Sequence, residues 1–348
     1  MLEIVELLVN GVALPHTNCR LEASAEQAVR QASFSVAWNG EGLPCLPDDP
    51  ATVTVSGEPW GTGYIRDVNG DHDENDRRYD VTFVSRTIDA TEASIEHPTG
   101  LKRDADLVAI AKEFDTLGIG IEGSPQTIVK PRHKVRPGET LFDTIETDAR
   151  AQGCLVYDDE RGRLVLADKP EGRHAGALEL GVNIKRASGQ LSGRGSFSKV
   201  VARGQASEGV TASVLRPEAI ATGTAKRNRP LIVVLEGEAS SDRLKKRADW
   251  EARRGAGENV ACTITTPGWR DQGGAIWTRN WLVPVIDPWL GIEQDMVVAS
   301  ASLEQDANGG TEATLTLKDP RALGGENPRG ESAQAWSAPA AEPEYREG

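Results

Sequence analysis

Asp71, Asp73 and Asn75 alternate through a polar stretch with the spacing that opens a calcium loop. Such a loop also needs glycine at its sixth position and a bidentate glutamate at its twelfth. Asp76 and Thr82 stand there instead, so the stretch reads as a solvated hairpin loop. Asp158, Asp159 and Glu160 offer the other classical chemistry, two carboxylates flanking a glycosidic bond at about 5–9.5 Å. They adjoin one another at a hairpin tip and are expected to be exposed, with no apolar pocket to raise one of them into a general acid. Trp269, Trp277, Trp281 and Trp289 fall within a short segment and could form a carbohydrate platform. Core or subunit packing is the commoner use of such rings.

The remaining reactive types are dispersed. His16, His72, His97, His133 and His174 form no HExxH, and Cys19, Cys45, Cys154 and Cys262 form no CxxC or Cys/His cluster. Four reduced thiols are the simplest expectation, with a Cys19–Cys45 disulfide as the alternative. The glycines of Gly57 to Gly63 and of Gly193-x-Gly195 lack the lysine and hydroxyl of a phosphate loop, and there is no Gly-x-Ser-x-Gly elbow. The basic run Lys226-Arg227-Asn228-Arg229 reads as a solvated face. The sequence thus assigns no catalytic, cofactor-binding or metal-binding residue, and the expectation is a protein that is not an enzyme and holds no cofactor.

The elements that would position these residues are mostly strands. Ile4 to Val9, Asn10-Gly11 and Val12 to Leu14 make a hairpin, because Asn-Gly supplies the two positive-φ positions of a type I′ turn. Phe34, Val36 and Trp38 alternate with small residues, as do the apolar positions of Thr52 to Ser56, and Tyr64 to Val68 and Tyr79 to Ser85 flank the acidic loop. Leu107, Ile110, Ala111 and Phe114 mark one helix face. A second helix is expected after Thr140 as N-cap, with Asp143 in its first turn and Gly153 as its stop. Cys154 to Tyr157 and Arg163 to Ala167 form a further hairpin. Beyond it come strands at Lys199 to Arg203 and Leu231 to Leu235, an irregular insertion over 204–230 and a helix from Ser240 or Ser241 to Arg254. Strands follow at Asn259 to Thr266, Trp281 to Ile286, Met296 to Leu303 and Thr311 to Leu317.

At 348 residues the chain is long enough for two or three domains. The pattern divides it into a β domain over 1–97, a small α/β module over 98–171, a second β domain over 172–322 and a flexible tail over 323–348 that has little to bury. The expected fold is mainly β with an α/β insert, the two β domains arising from an internal duplication. No apolar run approaches the ~18–20 residues of a membrane helix. Met1-Leu2-Glu3-Ile4 lacks the basic start of a signal peptide, so export by that route is not expected. With 39 Lys and Arg against 53 Asp and Glu, the net charge of −14 should repel a polyanion, which disfavours nucleic-acid binding by phosphate neutralisation.

Several segments, in their order along the chain, resemble the hub proteins of contractile phage tails, the Mu and T4 kind, over residues 1–322. They are the N-terminal hairpin, Pro137-Gly138-Glu139-Thr140-Leu141-Phe142-Asp143, Gly153-Cys154-Leu155-Val156-Tyr157, and Asn280 to Asp287 followed by Met296-Val297-Val298. The hub half of type VI secretion spikes is a more distant likeness. The resemblance implies two tube-type antiparallel β-barrels per chain and a homotrimer with pseudo-sixfold symmetry. It also implies a place in the virion baseplate between tail tube and central spike after assembly in the host cytoplasm, and a channel through which DNA passes without specific binding. A tail-associated cell-wall hydrolase using Asp158, Asp159 or Glu160, and a receptor- or carbohydrate-binding module using residues 269–289, are the alternatives.

Overall fold

The computed structural model describes residues 3–38, 40, 42–74, 77–205, 217–238, 241–306 and 310–325. The first β unit runs β1 (Val5–Val9), β2 (Val12–Leu14), β3 (His16–Ser24), β4 (Gln31–Val36), β5 (Pro50–Val55), β6 (Glu58–His72) and β7 (Arg77–Ser85). Asn10 and Gly11 take φ of 52° and 79° between β1 and β2, the turn that their types dictate. All pairings are antiparallel, in the order β3-β4-β7-β6-β5-β1-β2. Ala32, Phe34 and Val36 alternate inward from β4, and Trp38 lies beyond its end.

A short helix α1 (Ile88–Glu92) leads into the α/β module: β8 (Leu101–Ala105), α2 (Leu107–Phe114), β9 (Ile121–Glu122), β10 (Lys130–Lys134), α3 (Leu141–Gln152), β11 (Leu155–Asp158) and β12 (Leu164–Ala167). Leu107, Ile110, Ala111 and Phe114 are buried, as their spacing requires. The Thr140 side chain accepts a hydrogen bond from the Asp143 amide at 3.1 Å and caps α3. Gly153, at φ 75°, ends that helix.

The chain then forms β13 (Gly172–Arg173), β14 (Leu178–Glu179) and β15 (Arg186–Leu191). A sub-structure follows, with β16 (Lys199–Gln205), β17 (Glu218–Thr222), β18 (Pro230–Glu238) and α4 (Ser241–Gly257). Leu244, Ala248 and Ala252 of α4 cover the three-stranded sheet β17-β16-β18. The insertion over 204–230 is therefore not wholly irregular, since β17 pairs along β16; residues 206–216 lie outside the described set. Four strands complete the fold: β19 (Val260–Pro267), β20 (Trp281–Asp287), β21 (Ile292–Asp306) and β22 (Gly310–Lys318), followed by a 3-10 turn at Pro320–Leu323. Residues 326–348, most of the expected flexible tail, lie outside the described set.

The second unit repeats the first. Its order β15-β19-β22-β21-β20 matches β3-β4-β7-β6-β5 strand for strand, and every neighbour in both is antiparallel. The central strands β6 and β21 each have 15 residues, and their partners β7 and β22 each have 9. Each central strand bulges near its middle, at Arg66 between Ile65 and Asp67 and at Ala299 between Val298 and Ser300. The sixth position differs: β1 lies antiparallel to β5, while β13 and β14 lie parallel to β20.

Mainly-β architecture with an inserted α/β module is thus what forms. The described pairings close neither unit into a barrel. Instead β3 pairs along the second half of β21, from Ser300 opposite Ser24 to Gln305 opposite Cys19, and fuses the units into one 14-stranded sheet. The physical reason is the bulge at Ala299. It divides one edge of β21 between β20, which takes Ile292 to Val297, and β3 beyond. One core, from Leu7 and Phe34 to Ile264 and Leu317, runs beneath both units.

Candidate functional site

The acidic candidates disperse into structural roles. Asp71 and Asp73 are exposed at the far end of the β6–β7 hairpin, and Asn75 and Asp76 lie outside the described residues. Among the described residues no three His, Cys, Asp or Glu side chains are grouped to hold a metal ion.

Asp158 is buried rather than exposed, because it is the last residue of β11 and the turn itself begins at Asp159. One carboxylate oxygen accepts from Arg30 Nε at 2.8 Å and the other from Arg279 Nη2 at 2.7 Å. Arg30 comes from the β3–β4 connection of the first unit and Arg279 from the approach to β20 in the second, so one carboxylate of the inserted module joins all three parts. The Arg30 guanidinium also reaches the Trp60 carbonyl and lies over the Trp60 ring, while Arg279 lies over Tyr157. Burial, with Arg30 beside it, pushes the Arg279 guanidinium below its ordinary value, and Asp158 opposes the shift. Asn280, at φ 58°, donates to the Tyr157 hydroxyl at 3.0 Å and to the Lys169 carbonyl at 3.1 Å. Asp159 is half-buried and paired with Arg163, and Glu160 alone of the three is exposed.

A second buried knot ties the module to α4. Asp148 of α3 accepts from Lys130 at 2.6 Å, from His133 at 3.2 Å and from Arg243 at 3.2 Å. Burial raises the Asp148 pKa, but the bonds from His133 and Lys130 and the charges of Lys130 and Arg243 outweigh it and bring the carboxyl down to about 2.

The tryptophans form no platform. Trp269 and Trp277 are in the core, and the Trp269 indole donates to the carbonyls of Glu304 and Glu312. Trp281 packs with Trp277 about the buried His174, whose Nδ1 lies 2.9 Å from Asp271 Oδ2. Only Trp289 of the four is broadly exposed, at 84%. In the basic run, Arg229 is not simply solvated, for it donates to the carbonyls of Gly193, Arg194 and Ser196 and packs over Phe197. All four cysteines are free and buried; burial pushes Cys19, Cys154 and Cys262 up to about 12, which leaves them unreactive thiols.

Comparison with known proteins agrees with the architecture. Residues 91–168 match the family described as baseplate hub protein gp44-like, second domain, and residues 240–326 match the fourth domain of the Mu phage baseplate assembly protein GpP. In fold, the 43 kDa tail protein of prophage MuSo2 from Shewanella oneidensis is similar at TM-score 0.79 and 27% identity, over 92% of this chain and 98% of its own. A tail protein from Neisseria meningitidis is similar at TM-score 0.78 and 17% identity, over 94% and 100% of the two chains. The chain is a structural protein of the phage baseplate hub class. Among individual proteins it is similar to the baseplate hub protein gp44 of Escherichia phage Mu, with 21% identity over 285 residues, 78% of this chain and 75% of the relative.

Proposed function

We propose that three copies of this chain form a ring in the virion baseplate that joins the tail tube to the central spike and surrounds the channel through which DNA leaves. The repeated strand order of the two β units carries the reading. A cyclic trimer repeats one heterologous contact three times. With two alike units per chain, it presents six alike units around its axis, so a threefold assembly can abut a sixfold tube on one face and a threefold spike on the other. Assembly takes place in the host cytoplasm, before the tail is complete.

The net charge of −14 suits a channel wall. Phosphates find no counter-charge on an acidic lining, and the duplex passes without release of its counterions and without adhering. The function is mechanical rather than enzymatic. Of the three carboxylates a hydrolase reading would enlist, Asp158 has both oxygens engaged by arginines, Asp159 is paired with Arg163, and Glu160 is exposed.

Sedimentation equilibrium of the purified protein tests the reading. A species of three times the chain mass at micromolar concentration is expected, and a stable monomer would overturn the ring.

A further inference from the structure

The seam between the units has a second, unfilled copy. Inside the chain, β3 is the outer strand of the first unit and pairs with the half of β21 that lies past the bulge. By the repeat, β15 corresponds to β3, and the half of β6 past Arg66 corresponds to that half of β21. Among the described pairings β15 is bonded only to β19, and residues 67–72 only to β7. Both edges are therefore open, at opposite ends of the eight-strand run from β15 to β6.

We infer that β15 of one chain pairs antiparallel with the 67–72 edge of β6 in the next, reproducing between copies the seam that β3 and β21 make within one. The inference rests on the ring reading above and adds its contact surface and register. The register follows by superposing the bulges and partner strands. Ser300 corresponds to Asp67, since they face Thr316 and Thr82 respectively. Arg20 corresponds to Ser188, since they face Ser33 and Thr263 at equivalent places in β4 and β19. The observed Ser24–Ser300 pair then becomes Ser192 opposite Asp67, and the chain of pairs continues with Leu191 opposite Val68, Gln190 opposite Asn69, Gly189 opposite Gly70 and Ser188 opposite Asp71.

The chemistry of this register fits. Leu191 is 62% exposed in the single chain, and Val68 is half-buried against the core; both occupy the core-facing positions held by Ala23 and Ala301 in the internal seam. Pairing covers the exposed leucine with a valine. On the outward face Gln190 meets Asn69 and Ser188 meets Asp71, so donors stand opposite acceptors and no like charges collide. Just past the end of β6, Arg186 falls opposite Asp73. The β15 edge itself has neither Pro nor Lys, the residues that usually guard an open strand against pairing.

The test is a cysteine pair in the full chain. Asn69→Cys with Gln190→Cys places two thiols directly opposite, where antiparallel Cα atoms stand ~4.5–5.5 Å apart, within the range of a disulfide. Mild oxidation should give covalent dimers and closed trimers on a non-reducing gel, lost on reduction; the native cysteines are all buried. Asp67→Cys with Ala187→Cys, about five residues or ~17 Å out of register, should give none. Trimers by sedimentation that form no disulfide in the Asn69→Cys, Gln190→Cys variant would overturn this seam and leave the ring standing, whereas monomers would overturn both. Hydrogen exchange of the unmodified protein is the check that needs no variant. The amides of 186–191 and 67–72 that are not bonded to β19 or β7 should be slow in the assembly and fast on dissociation, and fast exchange of those amides in the assembly would contradict the inference.

Discussion

At the scale of single residues, the groups that look reactive hold the molecule together. Asp158 neutralises two buried arginines from separate parts of the chain, so Asp158→Ala strands both charges. A loss of about 3–5 kcal/mol is expected in urea unfolding, against less than ~0.5 kcal/mol for the exposed neighbour in Glu160→Gln. An equal effect of the two would refute the tie. Asp148 adds an acid limit. Its folded pKa of about 2 lies below the value of an unfolded aspartate, so its stabilisation is complete above pH ~4 and disappears as pH falls toward ~2. Denaturation midpoints should drop over that window in the parent protein and much less in Asp148→Asn. None of this is legible in sequence, because Arg30 and Arg279 lie 128 and 121 residues from Asp158 and no local pattern links them.

At the scale of elements, the sequence reads well where local rules decide. The Asn10-Gly11 hairpin, the apolar face of α2 and the Thr140 cap and Gly153 stop of α3 all form as their residue types require. Gly153 has a further constraint, since a Cβ there would meet the Trp250 ring of α4 at 2.2 Å. Gly153→Ala should therefore lower stability by more than the ~1 kcal/mol expected for Thr140→Ala, both read from thermal melting. A milder Gly153 variant would mean that α4 yields. Among the strands that sequence reasoning misses are β3 and β15, the outermost strands of the two units, of which β3 is covered by β21 and β15 is open. Arg186 to Leu191 shows no inward alternation because its inner positions are Ala187, Gly189 and an exposed leucine, and only the pairing with β19 reveals a strand. β15, open along one side, lacks the buried face that makes a strand visible.

At the scale of the whole molecule, duplication is visible in topology and hidden in residues. The matching strand order and the two mid-strand bulges coexist with different side chains, since the repeat constrains only size and polarity at each position. Shortening the chain to remove either unit should abolish the ring, because the remaining unit keeps an unsatisfied seam edge; sedimentation of such a truncation against the full chain checks this. The most direct measurement is an electron-microscopic class average of the purified full-length protein. The account predicts a threefold ring of six similar lobes around an open centre. Separate single copies at micromolar concentration, or a closed assembly with no central opening, would contradict it.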